Sequence, residues 1–383
     1  MGKIEELIKR LCHNGVPYIK LQEIAEIGTG NSDRKDAVEN GDYPFYVRSK
    51  DILRIDKYEY DETAIIIPGE GGIGDIFHYV EGKYALHQRA YRIHIIDNKL
   101  NTKYLYYYMS SMFKKFIMKK AVSATVTSIR KPMIEQFPVP VPPLEVQCEI
   151  VHILDDFTLL SAELSAELKA RQNQYNYYRD KEMLNAKNVV KYKLNEIAEI
   201  YDGTHQTPKY TDSGIDFISV ENINDIYNSK KYISIDDYNK YKIKPKLNDI
   251  FMTRIGTIGK CTVFNKQKDL AYYVSLALIR PNNNIVDSYY LKYLIESIIG
   301  IKELRKRTLV NAVPIKINKD DIGKLVLPIP PLEEQKRIVN ILDRFDKLCN
   351  NISEGLPAEI EARQKQYEYY RDKLLTFMEK QYV

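Results

Sequence analysis

The sequence predicts an α+β fold with two mixed α/β domains that are separated by two long antiparallel coiled-coil helices. Three observations predict this architecture. The chain contains one unit twice, each copy has short strand-like runs in its first part, and each copy ends in a long helical segment with coiled-coil spacing. The duplication further predicts that a pseudo-twofold axis relates the two copies.

The duplication consists of three matches that occur in the same order. They pair Lys20–Ile27 with Lys193–Ile200, Pro140–Glu145 with Pro328–Glu333, and Arg171–Lys181 with Arg363–Lys373. Chance can produce one such match, but three in order indicate an internal repeat. The last two matches are offset by 188 and 192 positions, so the second copy has four extra residues between them.

These matches divide the chain into five segments. We predict an N-terminal helix over 1–15, a first mixed domain over 16–143, a helix over 144–187, a second mixed domain over 188–331, and a helical segment over 332–383 that breaks near Gly355–Pro357. The first segment has the charge pattern of an amphipathic helix rather than of a signal peptide. We expect it to dock beside the C-terminal helix.

The long helices are predicted from apolar residues at alternating intervals of four and three. The first stripe runs through Leu154, Phe157, Leu164 and Leu168, and the second through Ile338, Leu342 and Phe345. Neither helix has enough apolar surface to form a core alone, so we expect the two to pack on each other.

The mixed domains are predicted from short β-prone runs, each followed by a helical pattern. The runs are Ala64–Ile67, Tyr91–Ile96, Asp216–Val220 and Val274–Ile279. Residues 104–120 and 288–307 have helical patterns. This order of elements favours an α+β domain over a doubly wound sheet.

Composition excludes several classes of protein. Of 383 residues, 44% are hydrophobic and 28% are charged, which excludes a largely disordered chain. No run of 18 apolar residues occurs, so no membrane-spanning helix is expected. The four cysteines lie far apart without a CxxC pair, so we expect neither disulfides nor a zinc site, and a reducing cytoplasm is the default location.

Charge is distributed unevenly between the segments. The mixed domains have net charges of +2 and +6, whereas the two long helical segments together have −4, within a chain total of +5. Basic globular domains with acidic helices fit nucleic acid on the domains and protein on the helices. An unevenly charged solvated surface is the alternative.

Sequence motifs for catalysis or nucleotide binding are not convincing in this chain. Gly69–Gly74 has GxGxxG spacing, but the next residues lack a helical period, and we interpret it as a glycine-rich turn between strands. Arg254–Lys260 lacks the first glycine and the Ser or Thr of a phosphate-binding loop. We find no methyltransferase, hydrolase or metalloprotease signature, and the histidines have no ligand-spaced partners.

Polar and basic loops lie at matching places in the two halves. Their side chains are of the types that contact base edges and phosphates, which suggests a DNA interface, although any one loop alone also fits a solvated surface. The candidate DNA contacts in the first half are Arg34, Lys35, Arg48, Lys50, Gln88, Arg89, Thr125, Thr127, Arg130 and Lys131. Those in the second half are Thr204, His205, Gln206, Lys209, Arg254, Lys260, Arg305, Lys306, Arg307 and Asn311.

The chain resembles the specificity subunits of type I restriction–modification systems. The resemblance rests on the paired Pro-Leu-Glu-x-Gln helix starts, the Glu-Ile-Ala-Glu-Ile domain starts and the segment Glu361–Leu375, and it covers the whole chain. It implies two target-recognition domains that read the halves of a split site on double-stranded DNA. It also implies two methyltransferase (modification) subunits seated on the helices, and restriction subunits in the full complex.

The resemblance further implies that this subunit has no catalytic activity. It implies no cofactor and no metal in this chain, and it assigns S-adenosylmethionine, ATP and Mg to the partner subunits. The modification subunit is implied to methylate adenine N6.

A tandem Ser-Ala-Glu-Leu repeat at Ser161–Leu168 resembles repeats that set the spacer length in some members of that family. Four residues are about one helical turn, or roughly 6 Å, so the apolar stripe stays in phase when such a repeat is added or removed.

Two alternative functions remain open from the sequence. One is a coiled-coil scaffold whose two domains bind proteins, and the other is a free-standing enzyme with an unrecognised site. The absence of salt-dependent DNA affinity, for the chain alone and with a methyltransferase partner, would favour the scaffold. Binding of S-adenosylmethionine to the isolated chain would favour the enzyme, and we expect no such binding.

Overall fold

The computed structural model describes residues 2–72, 74–120, 128–350 and 355–380. The chain divides into two compact units, which we call unit 1 (Met1–Leu164 with Ile360–Val383) and unit 2 (Ser165–Glu359). Each unit contains one mixed domain together with parts of both long helical segments.

Unit 1 contains a six-stranded sheet covered by a helix. Its first helices are α1 Gly2–Leu11, α2 Leu21–Ile24, α3 Thr102–Lys120 and α4 Lys131–Glu135. Its strands are β1 Tyr18–Lys20, β2 Ala25–Thr29, β3 Tyr43–Tyr46, β4 Ile52–Ile55, β5 Tyr60–Pro68, β6 His78–Leu86, β7 Ala90–Ile95 and β8 Pro138–Pro140. The sheet order is β2-β7-β5-β6-β3-β4, with only β3 and β6 parallel, and β1 pairs with β8 in a separate ribbon.

Unit 2 repeats this plan with a divided sheet. The long helix α5 Leu144–Asn185 precedes strands β9 Val190–Lys193, β10 Ala198–Asp202, β11 Tyr210–Thr211, β12 Ile215–Ile218, β13 Tyr232–Ile233, β14 Ile250–Thr253, β15 Cys261–Val263, β16 Leu270–Tyr272, β17 Leu276–Pro281 and β18 Val326–Ile329. The remaining helices of the chain are α6 Leu194–Ile197, α7 Ile235–Lys240, α8 Ser288–Glu296, α9 Ile298–Arg305, α10 Lys319–Gly323, α11 Leu332–Asn350 and α12 Leu356–Leu374. The part of α5 up to Leu164 and the part of α12 from Ile360 belong to unit 1. The sheets are β10-β17-β14-β15, β11-β13-β12-β16 and β18-β9.

The strand pairings of the two domains correspond. The order β2-β7-β5-β6 in unit 1 matches β10-β17-β14-β15 in unit 2, and the ribbon β1-β8 matches β9-β18. Both the α+β class and the duplication predicted from the sequence are therefore confirmed.

The four β-prone runs all form strands, but one helix prediction is wrong in detail. Residues 288–307 form two helices, α8 and α9, because Ser297 is extended and caps the second. Its hydroxyl accepts the Ile299 N–H at 3.2 Å, while Asp180 Oδ1 accepts the Ile298 N–H at 3.0 Å. These side chains satisfy the amides that begin a new helix, an interaction that helical periodicity does not report.

The core of unit 1 explains why Ala64–Ile67 is apolar without alternation. Ile65 and Ile67 pack with Tyr104 and other residues of α3 on one face of β5, while Ala64 and Ile66 belong to a second apolar cluster. A strand that is buried on both faces needs apolar side chains in both directions.

A buried glutamine attaches each long helix to its domain. Gln147 and Gln335 are fully buried. The Gln147 amide donates to the carbonyls of Lys99 (2.8 Å) and Pro142 (2.7 Å), and its oxygen accepts the Asn101 N–H at 2.8 Å. Gln335 makes the corresponding bonds with Ile285 O, Pro330 O and Asp287 N. The repeated Pro-Leu-Glu-x-Gln motif is thus a structural joint between helix and domain.

Within each unit the long helical segments pack on each other. In unit 2, Tyr178 of α5 stacks on Phe345 of α11, and Glu182 pairs with Arg337 at 2.8 Å. As α5 residue numbers rise those of α11 fall, so these helices are antiparallel. In unit 1, Phe157 stacks on Tyr370 of α12 with ring centroids 5.8 Å apart. The expected helix–helix packing is confirmed within each unit.

Helix α1 docks against the C-terminal segment, as expected. Ile4 and Leu7 are buried in the same cluster as Leu374 and Leu375. Glu5 pairs with Lys373 at 2.8 Å. Among the residues described, no helix is both long and apolar enough to cross a membrane.

Candidate DNA interface

In unit 1, backbone hydrogen bonds join five loops that precede or follow strands of the sheet. The Ser32 N–H donates to Leu86 O and the Gln88 N–H to Ser32 O. The remaining links are His87 N–H to Tyr46 O (2.9 Å), Gly69 N–H to Arg89 O (2.9 Å) and Ile129 N–H to Gly69 O (2.7 Å). We call residues 30–36, 47–50, 69–72, 87–89 and 128–131 loop cluster 1.

Glu70 organises the cations of loop cluster 1. Its Oε2 accepts from Arg48 at 2.8 Å and from Arg89 at 3.2 Å. These hydrogen bonds lower the pKa of Glu70, which keeps the carboxylate ionised. Both guanidinium groups remain partly exposed. Two arginines held in place at an open surface are suited to contacts with phosphates or guanine edges.

A cavity of about 410 Å³ lies in this cluster, lined by Arg34, Arg48, Glu70 and His87 among others. His87 is buried, and its Nδ1 accepts the Arg89 N–H at 2.9 Å. Burial, with the charge of Arg48, lowers the pKa of His87. The imidazole is therefore neutral at pH 7, carries its proton on Nε2 and positions Arg89.

Unit 2 repeats the backbone pattern. The Thr204 N–H donates to Tyr272 O at 3.1 Å. The Arg254 N–H donates to Ser275 O, and the Arg254 carbonyl accepts the Ile317 N–H, both at 3.0 Å. These bonds correspond one to one to those of Ser32, Gly69 and their partners. We call residues 203–209, 254–260, 273–275 and 305–317 loop cluster 2.

Glycines allow the loops to approach this closely. A Cβ on Gly30 would lie 1.8 Å from Leu86 O, and one on Gly203 would lie 2.5 Å from Tyr273 O, so no other residue fits without backbone movement. The turns after β5 and β14 contain Gly71 and Gly256 at φ +71° and +76°. The interpretation of Gly69–Gly74 as a turn between strands is confirmed, because β6 rather than a helix comes next in the chain.

The candidate residues of unit 1 fall into two groups. Most are exposed in or beside loop cluster 1: Arg34, Lys35, Arg48, Lys50, Gln88, Arg89, Arg130 and Lys131. Thr125 and Thr127 lie outside the described residues. Gln88 donates to Asp33 Oδ2 at 2.9 Å. The structure shows that the loops carrying these residues are hydrogen-bonded to one another. That these residues contact DNA stays a prediction.

In unit 2, the side chains of His205, Gln206, Lys209 and Asn311 are exposed, and that of Thr204 is half-buried. Lys260 is exposed and donates to Asn224 Oδ1 at 2.8 Å. Arg254 is buried beneath the surface, where it pairs with Asp202 and donates to Ile317 O. This placement favours a positioning role for Arg254, which ties the end of β10 to the loop before α10.

Glu303 pairs with two of the three cations in the basic run Arg305, Lys306 and Arg307 at the end of α9. This buried carboxylate accepts from Lys306 at 2.5 Å and from Arg307 at 2.8 Å. Burial opposes its ionisation, but the Lys306 hydrogen bond leads the groups that outweigh burial and lower the pKa of Glu303. The side chain of Arg305 is exposed and makes no hydrogen bond or ion pair with the residues described here. Sequence reasoning treated these three cations as equivalent, and Glu303 is the residue that it missed.

Each unit also exposes a tyrosine on its long helix, a feature that the sequence analysis did not single out. In the repeated Arg-Gln-x-Gln-Tyr-x-Tyr-Tyr-Arg-Asp-Lys segment, Tyr178 and Tyr370 stack inward on Phe345 and Phe157. Their neighbours Tyr177 and Tyr369 are 62% and 64% exposed. The sequence does contain a signal for these exposed residues. The coiled-coil spacing accounts for the second tyrosine of each Tyr-Tyr pair but not for the first.

The family model for the type I restriction modification DNA specificity domain matches the chain twice, over residues 14–171 and 186–362. The chain belongs to this family. The two matches fall on the two copies of the repeat. A specificity subunit supplies recognition of the DNA sequence and is not the catalyst of such a system.

Relatives and a solved structure agree with this assignment. The chain is 30% identical over 403 residues to a protein of Haemophilus influenzae described as a type I restriction enzyme specificity subunit, with 97% of this chain and 98% of the relative covered. It is 33% identical over 296 residues to the EcoR124I/EcoR124II specificity subunit of Escherichia coli, with coverage of 73% and 72%. The crystal structure of the type I S subunit from M. genitalium shares the fold, with a TM-score of 0.61, 14% identity and coverage of 95% and 97%.

Proposed function

We propose that this chain reads a bipartite site on double-stranded DNA, with loop cluster 1 on one half-site and loop cluster 2 on the other. The observation that carries the proposal is the same backbone scaffold in both units with different exposed side chains. Such a pair of surfaces suits two half-sites of different sequence, since backbone contacts position a protein on DNA and side chains on base edges specify the sequence.

The proposal extends to partners. Two modification subunits bind the acidic long helices and methylate adenine N6, and restriction subunits join the larger complex. In this arrangement S-adenosylmethionine, ATP and Mg belong to the partner subunits, and the chain acts in the cytoplasm.

The first test concerns Arg305, whose exposed guanidinium suits a phosphate contact. We expect Arg305→Ala to weaken DNA binding and to reduce the slope of log affinity against log salt concentration by about 0.9, since one phosphate contact releases about that many counterions. The measurement is fluorescence anisotropy over a salt series, with the chain bound to its modification subunit.

Arg10→Ala is the matched control, because Arg10 lies on α1 and pairs with Glu145. It should leave affinity and slope unchanged. The melting temperature should not move for Arg305→Ala, whereas Arg307→Ala should lower it by removing a partner of buried Glu303. An unchanged slope for Arg305→Ala would remove this residue from the interface, and salt-independent or absent binding by the parent would favour the scaffold alternative.

The second test concerns the exposed tyrosines of the helices. Exposed aromatic residues at equivalent positions of a repeat are suited to anchor two copies of one partner, because tyrosine is frequent among interface residues that contribute about 2 kcal/mol or more. We expect Tyr177→Ala and Tyr369→Ala each to weaken the binding of one modification subunit by roughly thirtyfold, and the double variant to weaken both.

Native mass spectrometry across a concentration series counts the bound subunits. Tyr58→Ala, at an exposed tyrosine outside the helices, is the control and should keep both subunits. A double variant that still binds two subunits as the parent does would show that these tyrosines are not the anchors.

A further inference from the structure

An exposed apolar hairpin projects from loop cluster 2. Leu309 and Lys316 pair across its base, with the Leu309 N–H donating to Lys316 O at 2.8 Å. Between them the sequence Val-Asn-Ala-Val-Pro-Ile forms the tip. Val313 is 100% exposed and Val310 is 67% exposed, and Leu309 and Ile315 are also exposed. Such a concentration of apolar side chains in water marks an interaction site.

The base of the hairpin is firmly held. The Gly256 N–H donates to Ile315 O at 2.8 Å, Lys316 pairs with Ile255, and the Thr308 hydroxyl donates to Leu304 O at 2.8 Å. Two segments of unit 2, the turn at Ile255 and Gly256 and the end of α9, thus fix the hairpin arms, while Val310 and Val313 at the tip are exposed. A rigid base with a free apolar tip is suited to insertion, because little order is lost on binding.

The surroundings of the tip are basic. Arg305, Lys306 and Lys316 are exposed beside the hairpin, in a domain with net charge +6. Apolar side chains with exposed cations at their base complement duplex DNA, whose phosphates flank an apolar stack of bases. An apolar protein partner would not require the cations, so the charge pattern favours DNA as the occupant.

We propose that the tip of this hairpin is an apolar wedge that enters the groove of the half-site read by unit 2 and packs against a base step. This inference rests on the proposed function. Val313 and Pro314 lead the insertion, while Arg305 and Lys316 contact the flanking phosphates. Wedges of this kind partly unstack a base step and bend the duplex, so the step that deforms most readily is preferred.

The test uses a Val310→Ser/Val313→Ser variant with its modification subunit and the duplex that the parent complex selects from random-sequence DNA. We expect roughly tenfold weaker binding for each valine, the loss that corresponds to removing buried apolar surface. The salt slope should not change, because neither valine is charged. Binding to an unselected duplex should change little, since wedge insertion requires a suitable base step.

A position-specific probe distinguishes insertion from contact at the edge. 2-Aminopurine placed at successive positions of the half-site should brighten at one step with the parent and not with the variant. Val190→Ser is the control, because Val190 is 53% exposed in β9, which pairs with β18 outside loop cluster 2.

Three outcomes would overturn the wedge. Equal affinity of variant and parent for the selected duplex would do so while leaving the proposed function intact. Loss of the modification subunit from the variant would identify the hairpin as a protein contact instead. Failure of the parent to select any duplex would reject the proposed function as well as the wedge.

Discussion

Deleting Ser165–Leu168 should shorten the preferred spacer between the two half-sites by one to two base pairs, with the bases read in each half-site unchanged. These residues lie within α5, which is one continuous helix over Leu144–Asn185. Removing four residues shortens it by roughly 6 Å and rotates the C-terminal part of the helix by only about 40°, since each residue advances the helix by about 100°. The stripe formed by Ser161 and Leu164 before the deletion and by Arg171 and Tyr175 after it, which is less exposed than its neighbours, stays on nearly the same face.

The measurement is binding or methylation, with the modification subunit present, on duplexes that differ only in spacer length. Duplicating the same four residues should lengthen the preferred spacer. Deleting Ser165 alone is the matched control. It rotates the C-terminal part of α5 by about 100°, moves the stripe off the packing face and should lower stability rather than shift the spacer. An optimum that stays fixed in the deletion, the parent and the duplication would show that α5 does not set the spacing.

Replacing Gln147 by Ala should lower the free energy of unfolding of unit 1 by about 4 kcal/mol. The change leaves three backbone groups without their partner, the buried Pro142 O and the part-buried Asn101 N–H and Lys99 O, at about 1–3 kcal/mol for a fully buried group and less for the other two. Gln335→Ala should do the same to unit 2, because its three bonds correspond. Both substitutions separate a long helix from its domain.

Denaturant unfolding measures the loss of stability, and amide hydrogen exchange shows which of the two units has lost it. Gln136→Ala is the control, since its side chain makes one exposed hydrogen bond to Gln22, and it should change stability by less than about 0.5 kcal/mol. A Gln147→Ala protein as stable as the control would mean that water replaces the lost bonds.

Features that depend on neighbours along the chain could be predicted from the amino-acid sequence. Helical stripes, β-prone runs such as Ala64–Ile67 and the three repeat matches all report local periodicity or self-similarity, and each corresponds to an element or a duplication in the structure. The family resemblance rests on the same contiguous motifs. The glycine-rich turn was identifiable because no helical period begins after Gly74.

The availability of candidate side chains to DNA, in contrast, depends on tertiary contacts. Arg254 and Arg305 are alike in the sequence, but one is buried against Asp202, 52 positions away, and the other is exposed. Likewise the buried Glu303 accepts the Val326 N–H, 23 positions away, and Ser32 meets His87 across the ends of separate strands. Strand pairing brings together residues that are far apart in the chain. The partner of a charged side chain, and therefore whether that charge is available to DNA, depends on these contacts, which local periodicity does not report.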